Sequence, residues 1–140
     1  MRPSVRLYAW VAVIRSLSLI ACDGGTGPSR GITVYEHPDF EGGSRTIDTN
    51  VRDLSELEGP CGTSQHWDNC ISSIRITPGL RATVYMRRDF GLSDGNGSGP
   101  RTESLVVTSD MPDLEFVTGP CRGSWDDCIS SIVVHVPLAE

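Results

Sequence analysis

The chain has 140 residues, with 18 acidic against 12 basic side chains and a formal net charge of −6 at pH 7. This length has room for one ordinary domain with a single core. Every basic residue is arginine, and three of them precede Cys22, so a chain that begins at Cys22 has nine arginines against 18 acids. Nucleic-acid binding depends on a clustered basic surface. The charge balance therefore argues against a nucleic-acid partner and is compatible with cation binding.

Residues 1–21 have the pattern of an export signal. Arg2 and Arg6 give a positive start, an apolar stretch follows, and Leu19-Ile20-Ala21-Cys22 resembles a bacterial lipobox, whose cysteine is lipidated. Arg15 interrupts the apolar stretch and leaves no run of the ~18 apolar residues that a transmembrane helix needs. We therefore expect lipidation at Cys22 and export to the bacterial cell envelope, with membrane contact only through the lipid anchor.

A plain secretory signal with a secreted product, or a misplaced start codon, is the alternative interpretation of this leader. The segment after it, residues 22–31, is rich in glycine and poor in apolar side chains. This composition predicts a flexible tether between the leader and the domain.

From residue 32 onward the chain repeats itself. Ile32-Thr33-Val34-Tyr35 matches Ala82-Thr83-Val84-Tyr85, and Asp39-Phe40 matches Asp89-Phe90. Short runs of alternating apolar residues between turn residues predict a four-stranded unit used twice, in residues 32–78 and 81–137. Only residues 51–57 and 111–116 are compatible with a helical turn. Two such antiparallel units predict one β-sandwich domain, residues 32–137, and an all-β fold.

Each repeat ends in a loop rich in oxygen donors. The first is Asp68-Asn69-Cys70-Ile71-Ser72-Ser73 and the second is Asp126-Asp127-Cys128-Ile129-Ser130-Ser131. Ca²⁺ takes carboxylate, carbonyl and other oxygen ligands in a flexible geometry. The same residue types also form ordinary turns, but two complete copies favour a metal site. Few carboxylates per ion predict an affinity on the order of 10⁻⁶ to 10⁻³ M.

Four of the five cysteines lie in matched pairs, one pair in each repeat. The simplest pairing is Cys61 with Cys70 and Cys121 with Cys128, although four cysteines permit three connectivities. Each bridge would close a short loop and contribute about 2.5 kcal/mol through the entropy of the unfolded chain. Zinc is the alternative, but the chain has no Cys-x-x-Cys and His66 has no counterpart in the second repeat.

These residues resemble the microbial, calcium-binding βγ-crystallins. The Greek-key signature of that family is an aromatic residue, four residues, a second aromatic, one residue and glycine, and the segment from Tyr35 through Phe40 to Gly42 fits it. The family's calcium clamp is two Asn or Asp residues, two variable residues, Ser or Thr, and Ser, and both loops fit at every position. The resemblance covers residues 32–136 and implies two Greek-key motifs that form one βγ-crystallin-like β-sandwich with two Ca²⁺ ions.

The resemblance also implies the ligands, because each clamp of the family contributes to both ions. The first clamp residue offers its side chain to one ion. The second residue, by its carbonyl, and the first serine, by its hydroxyl, bind the other ion, and the residue after the first aromatic adds a carbonyl. The implied metal ligands are Glu36, Asp68, Asn69, Ser72, Met86, Asp126, Asp127 and Ser130. Leu92 stands where the signature has glycine, so a remodelled second hairpin is expected near Met86.

The sequence therefore predicts a calcium-binding structural module that is not an enzyme. Ser64, His66 and Asp68 are neighbours in sequence, whereas catalytic triads converge from separate segments. The segment Asp94–Gly99 imitates an EF-hand loop, but Leu105 stands where the closing glutamate belongs. The alternative function is a protein-binding module, such as an inhibitor of an extracellular protease, that uses the loop of residues 91–100.

Aromatic residues near the predicted turns have a structural interpretation. Trp67 and Trp125 each precede a clamp and are expected to cover the core. The aromatic residues of each hairpin are expected to pack as pairs, Tyr35 with Phe40 and Tyr85 with Phe90.

Overall fold

The structure is a computed structural model that describes residues 30–63, 65–92 and 103–135. The predicted export signal, Cys22, most of the predicted tether, Ser64 and the segment of residues 93–102 lie outside the described residues. No helix within the described ranges is long and apolar enough to cross a membrane.

The described residues form eight β-strands, six of them in two three-stranded antiparallel sheets, which confirms the all-β prediction. The sheets have the strand orders β2-β1-β4 and β6-β5-β8. The strands are β1 Ile32–His37, β2 Glu41–Ile47, β3 Glu58–Cys61, β4 Ser73–Ile76, β5 Arg81–Tyr85, β6 Ser104–Val107, β7 Thr118–Cys121 and β8 Ser131–His135. Each repeat therefore supplies four strands, three to its own sheet and one, β3 or β7, outside it.

Short 3₁₀ turns are the helical structure of the described residues, at Pro38–Phe40, Leu54–Glu56 and Asp89–Gly91. The prediction of a helical turn in residues 51–57 is thus confirmed as a single 3₁₀ turn. The matching prediction for residues 111–116 is wrong, because that segment forms turns and bends without a helix. The two repeats nevertheless contain an equivalent backbone hydrogen bond. The N–H of Leu57 donates to the carbonyl of Leu54 at 3.3 Å, and the N–H of Val117 donates to the carbonyl of Leu114 at 3.2 Å.

Alternating side chains build the core between the two sheets, as the period of two predicts. Ile74 and Ile76 of β4 are buried while Arg75 between them is exposed. The inward residues of both sheets join one apolar cluster, which includes Ile32, Val34, Ile74, Ala82, Val84, Val107, Ile132 and Val134. Trp67 and Trp125 are 2% and 4% exposed and belong to the same cluster, which confirms their structural interpretation.

The two repeats exchange a segment at the edge of each sheet. Val51 of the first repeat forms a two-way backbone bridge with Ile132 of β8, at 2.8 and 2.9 Å. Met111 of the second repeat forms the same bridge with Ile74 of β4, at 2.8 and 2.9 Å. Each repeat thus contributes one bridge residue to the edge of the other's sheet, and the two bridges are related by a pseudo-twofold axis.

The second hairpin is remodelled where its sequence departs from the signature. In the first hairpin Gly42 takes the left-handed conformation with φ of +77°, whereas in the second Gly91 does so with φ of +73°. Leu92 then has right-handed helical geometry and an exposed side chain. The left-handed conformation, which most side chains disfavour, thus occurs one residue earlier in the second hairpin, at Gly91. The aromatic pairs of both hairpins form as expected, with ring centroids 5.6 Å apart for Tyr35 and Phe40 and 6.0 Å apart for Tyr85 and Phe90.

Candidate metal centre

The two predicted clamp loops lie against each other at one end of the sandwich. The backbone N–H of Asn69 donates to the carbonyl oxygen of Ile129 at 3.0 Å, and the N–H of Asp127 donates to the carbonyl oxygen of Ile71 at 3.2 Å. These two hydrogen bonds are related by the same pseudo-twofold relation as the keys. The structure therefore brings together the acidic corners that are 58 residues apart in the sequence.

The second residue of each clamp turns the backbone into the left-handed region. Asn69 has φ of +53° and Asp127 has φ of +48°. Asn and Asp tolerate this conformation better than most side chains, because their short polar groups stabilise it locally. The requirement for Asn or Asp at this position thus has a conformational reason besides the oxygen that each side chain carries.

The two serines of each clamp have different partners. The hydroxyl of Ser73 accepts a hydrogen bond from the N–H of Phe40 at 3.0 Å and donates to the carbonyl of His37 at 2.6 Å. Ser131 does the same with Phe90 and Arg87, at 3.0 and 2.6 Å. By contrast, the hydroxyls of the preceding serines, Ser72 and Ser130, have no hydrogen-bond partner among the described residues. The last serine of each clamp therefore braces a hairpin, and the first keeps its oxygen available.

The backbone places each of these available hydroxyls beside a hairpin. The N–H of Ser72 donates to the carbonyl of Tyr35 at 3.0 Å, which puts Ser72 next to Glu36 in space. Glu36 lies where the register between β1 and β2 shifts, so its backbone is outside the regular ladder. The Glu36 carboxylate accepts from the N–H of Gly43 at 3.1 Å and so is engaged away from the clamp. A ligand from Glu36 would accordingly be its carbonyl oxygen.

The second key repeats this arrangement. The N–H of Ser130 donates to the carbonyl of Tyr85 at 2.8 Å, and Met86 follows Tyr85 just beyond the end of β5. The remodelling at Gly91 and Leu92 therefore leaves Met86 beside Ser130. The structure thus brings two predicted ligands together in each key, Glu36 with Ser72 in the first and Met86 with Ser130 in the second.

The first residue of each clamp carries a buried carboxylate oxygen without a partner. Oδ1 of Asp68 and Oδ1 of Asp126 are both inaccessible to solvent and have no hydrogen bond within the described residues. An unpaired buried carboxylate oxygen is costly, and bound cations are one of the few ways to compensate it. The equivalent position of the two atoms in the two repeats makes them the strongest structural sign of a cation site.

The side chain of Asp68 reaches toward the other key. Its Oδ2 lies 3.4 Å from Nη2 of Arg88, which belongs to the hairpin after β5. Asp68 of the first clamp is therefore in contact with the hairpin of the second key through Arg88.

An open cleft of about 840 Å³ lies beside the second clamp, and Asp126 and Asp127 line it together with Asn69, Glu115 and Arg122. Desolvation by partial burial and the charge of Asp126 raise the pKa of the Asp127 carboxyl above its ordinary value, and His37 partly lowers it. The surroundings of Asp127 therefore disfavour the negatively charged form of its carboxyl.

Both predicted disulfides are present in the structure. Cys61 bonds to Cys70 and Cys121 bonds to Cys128, each with Cα atoms 5.7 Å apart. These thiols are therefore not free to hold zinc, and that alternative is wrong. Because Cys70 and Cys128 are the third residues of the clamps and are fully buried, each bridge fixes a clamp loop to the strand before it.

Comparisons with known proteins agree on the fold. No protein-family model matches the chain. A βγ-crystallin domain from Flavobacterium johnsoniae is 28% identical, with a TM-score of 0.53 over 78% of this chain and 98% of that one. A chain solved in work on the evolution of the eye-lens βγ-crystallin domain fold has a TM-score of 0.56 at 20% identity, over 80% of this chain and 91% of that one. The described part of the chain therefore has the βγ-crystallin fold.

A further solved βγ-crystallin domain, from Clostridium beijerinckii, is 20% identical with a TM-score of 0.50, over 75% of this chain and 97% of that one. Among curated proteins, the human biorientation of chromosomes in cell division protein 1-like 1 is 25% identical over 131 residues. That match covers 89% of this chain but 4% of the human protein. It therefore informs neither the family nor the function of this βγ-crystallin domain.

Two features of the βγ-crystallin domain escaped the sequence interpretation. One is that Ser73 and Ser131 hydrogen-bond the backbone of a hairpin, whereas the clamp motif suggests only that they carry oxygen donors. The other is the ion pair between Arg88 and Asp68, which no local sequence pattern indicates because the two residues belong to different repeats.

Within the described ranges, no group of three or more His, Cys, Asp or Glu side chains is placed to hold a metal ion. Any ion here would therefore depend mainly on carbonyl and hydroxyl oxygens.

Proposed function

We propose that this βγ-crystallin domain is an exported, non-enzymatic structural module that binds two Ca²⁺ ions and is stabilised by them. The first ion would take the carbonyls of Glu36 and Asn69, the hydroxyl of Ser72 and the side chain of Asp126. The second would take the carbonyls of Met86 and Asp127, the hydroxyl of Ser130 and the side chain of Asp68. The single observation that carries the proposal is the pair of buried, unpartnered Oδ1 atoms of Asp68 and Asp126.

The donor chemistry also supports calcium. All eight donors are hard oxygens, and both protein carboxylates are monodentate candidates supplemented by carbonyls, which suits Ca²⁺ and its variable geometry. Desolvation and, second to it, repulsion from Asp126 raise the pKa of Asp127, and a divalent cation nearby would offset both by favouring the ionised carboxylate. Binding to the folded state alone stabilises it, by about 2.7 kcal/mol per site at a free concentration 100 times Kd.

Calorimetric titration of the purified domain, residues 30–140, with CaCl₂ after chelator treatment tests the proposal. We expect calcium binding heats and a melting temperature that rises by on the order of 10 °C near saturation, given the ~4–8 °C per kcal/mol of a domain this size. Absence of both effects in the wild type would count against calcium binding. The protein-binding alternative expects neither effect, and residues 93–100 of its loop, residues 91–100, lie outside the described structure.

Two variants locate the binding. Asp68→Asn with Asp126→Asn keeps the shape of both side chains and removes the charge, so we expect most of the calcium heat to be lost. Ser72→Arg with Ser130→Arg places cations at both clamps and should abolish binding, although both serines are buried. Asp48→Asn with Glu56→Gln is the matched control, because it removes two exposed carboxylates outside the clamps. Calcium binding retained by the Asp68 and Asp126 variant would refute the assignment of these ligands.

A further inference from the structure

Arg88 already compensates one of the two clamp carboxylates. Its guanidinium lies between two acids, with Nε 3.2 Å from Oδ1 of Asp53 and Nη2 3.4 Å from Oδ2 of Asp68. The Asp68 side chain is 11% exposed and that of Asp53 is 20% exposed, whereas the Arg88 side chain is 54% exposed. The arginine thus reaches from solvent into a largely buried acidic corner.

The first key lacks this cation. The repeat aligns Tyr85 with Tyr35, so the position of Arg88 corresponds to Pro38. Proline has no charge, and no ion pair among the described residues involves Asp126. The two halves of the clamp end are therefore alike in backbone and donors but differ in charge compensation.

This difference in charge compensation concerns one of the two proposed ion sites, the one that includes Asp68 and Met86. Arg88 follows Met86 by two residues, and Met86 lies beside Ser130 through the hydrogen bond from Ser130 to Tyr85. The carboxylate of Asp68, in the site with Met86 and Ser130, is therefore ion-paired to a guanidinium, whereas no ion pair among the described residues holds Asp126 in the other site. A guanidinium and a Ca²⁺ ion that share one carboxylate repel each other, so one weakens the binding of the other.

We propose that Arg88 is an internal competitor of Ca²⁺ for Asp68, which makes the two sites unequal and fills them in a fixed order. This inference rests on the proposed calcium function and adds its regulation. The site of Asp126 fills first, and the site of Asp68 fills only when Arg88 turns away into solvent. Because the Arg88 side chain is more than half exposed and is not part of the apolar core, it can turn away without a change in the core.

The test is a calcium titration of the folded domain, residues 30–140, followed by two-dimensional ¹H–¹⁵N NMR and by calorimetry. In the wild type, we expect the amides of Glu36 and Asn69 to respond at lower calcium than those of Met86 and Asp127, with affinities about tenfold apart. Arg88→Gln should bring the two responses together by raising the affinity of the second site about tenfold. A structural brace alone would lower the melting temperature in chelator without raising calcium affinity.

Arg81→Gln is the matched control, because it removes the same charge from an exposed residue at the far end of β5. It should leave the order of filling unchanged, and a change equal to that of Arg88→Gln would overturn the proposal as a general charge effect. A second background, Asp126→Asn, removes the first site, and there Arg88→Gln should still raise the remaining affinity about tenfold.

The outcomes separate this inference from the function on which it rests. Calcium binding in the wild type with equal affinities at both sites, or binding that Arg88→Gln leaves unchanged, overturns the competition and keeps the calcium function. Absence of calcium binding in both the wild type and Arg88→Gln overturns the calcium function and the competition together.

Discussion

The hydroxyl of Ser73 accepts a hydrogen bond from the backbone N–H of Phe40 at 3.0 Å and donates one to the carbonyl of His37 at 2.6 Å. Phe40 has φ of +65°, a conformation that an aromatic residue rarely adopts without support. One clamp residue thus holds the hairpin that carries Glu36 in its conformation. The hairpin and the clamp of each key are therefore coupled before any ion binds.

Replacement of the two neighbouring serines should separate bracing from binding. Ser73→Ala removes two hydrogen bonds and leaves the Phe40 N–H unpaired, so we expect a loss of about 1–3 kcal/mol of stability in chelator. Ser72→Ala should leave stability in chelator nearly unchanged and weaken calcium binding instead. Denaturant unfolding with and without calcium measures both effects, and equal losses in chelator for the two variants would contradict this division of roles.

Asp127→Asn should stabilise the calcium-free domain. A carboxyl whose pKa is raised by folding is more costly when ionised in the folded than in the unfolded chain. This cost is fully present above the folded pKa and disappears as pH falls through the folded value toward the ordinary value of 3.8. We therefore expect the variant to melt at a higher temperature than the wild type at pH 7 in chelator.

The pH dependence of this difference in melting temperature tests whether the charge of Asp127 causes it. The advantage of Asp127→Asn should shrink as pH falls from above the folded pKa to below 3.8, because the wild-type carboxyl then takes up its proton. Asp48→Asn, at an exposed position, should show no comparable advantage at neutral pH. An advantage of Asp127→Asn that stays constant down to pH 3 would show that the charge is not its cause.

Removal of one disulfide should weaken both stability and binding. Cys61→Ala with Cys70→Ala opens the bridge that holds the first clamp, so we expect a loss of about 2.5 kcal/mol in chelator from the chain entropy alone. Calcium affinity should also fall, because the ion must then order a looser loop. Calorimetry on this variant and on Cys121→Ala with Cys128→Ala checks the effect on each clamp, and unchanged affinity in both would contradict it.

Gly119 should not tolerate a side chain. A Cβ atom there would lie 2.5 Å from the carbonyl oxygen of Ser124 and 2.5 Å from Cδ1 of Trp125. Since neither neighbour is a flexible chain end, Gly119→Ala should cost about 1–3 kcal/mol through overpacking. Denaturant unfolding followed by tryptophan fluorescence measures this loss, with the exposed neighbour Thr118→Ala as control. Equal stability of the two variants would contradict the tight packing of Trp125.

Local patterns predicted much of the fold. The alternation of Ile74, Arg75 and Ile76 gave the correct buried face, because the strand period of two acts within a few residues. The repeat predicted the aromatic pairs, and the cysteine spacing predicted both bridges, because each involves residues close in sequence. The prediction of a second helical turn, in residues 111–116, was wrong because local composition alone does not decide whether a weak 3₁₀ turn forms.

The sequence by itself determined that two equivalent loops, each rich in oxygen donors and each with a pair of cysteines, follow two equivalent hairpins. Only the tertiary structure decided how those loops share their residues: that Asn69 meets Ile129, that Ser72 and not Ser73 keeps a free hydroxyl, and that Arg88 reaches Asp68. The physical reason is that donor types and periodicity are properties of short segments. Contacts between segments 20 to 60 residues apart depend on the exchange of edges between the two keys, which no local pattern encodes.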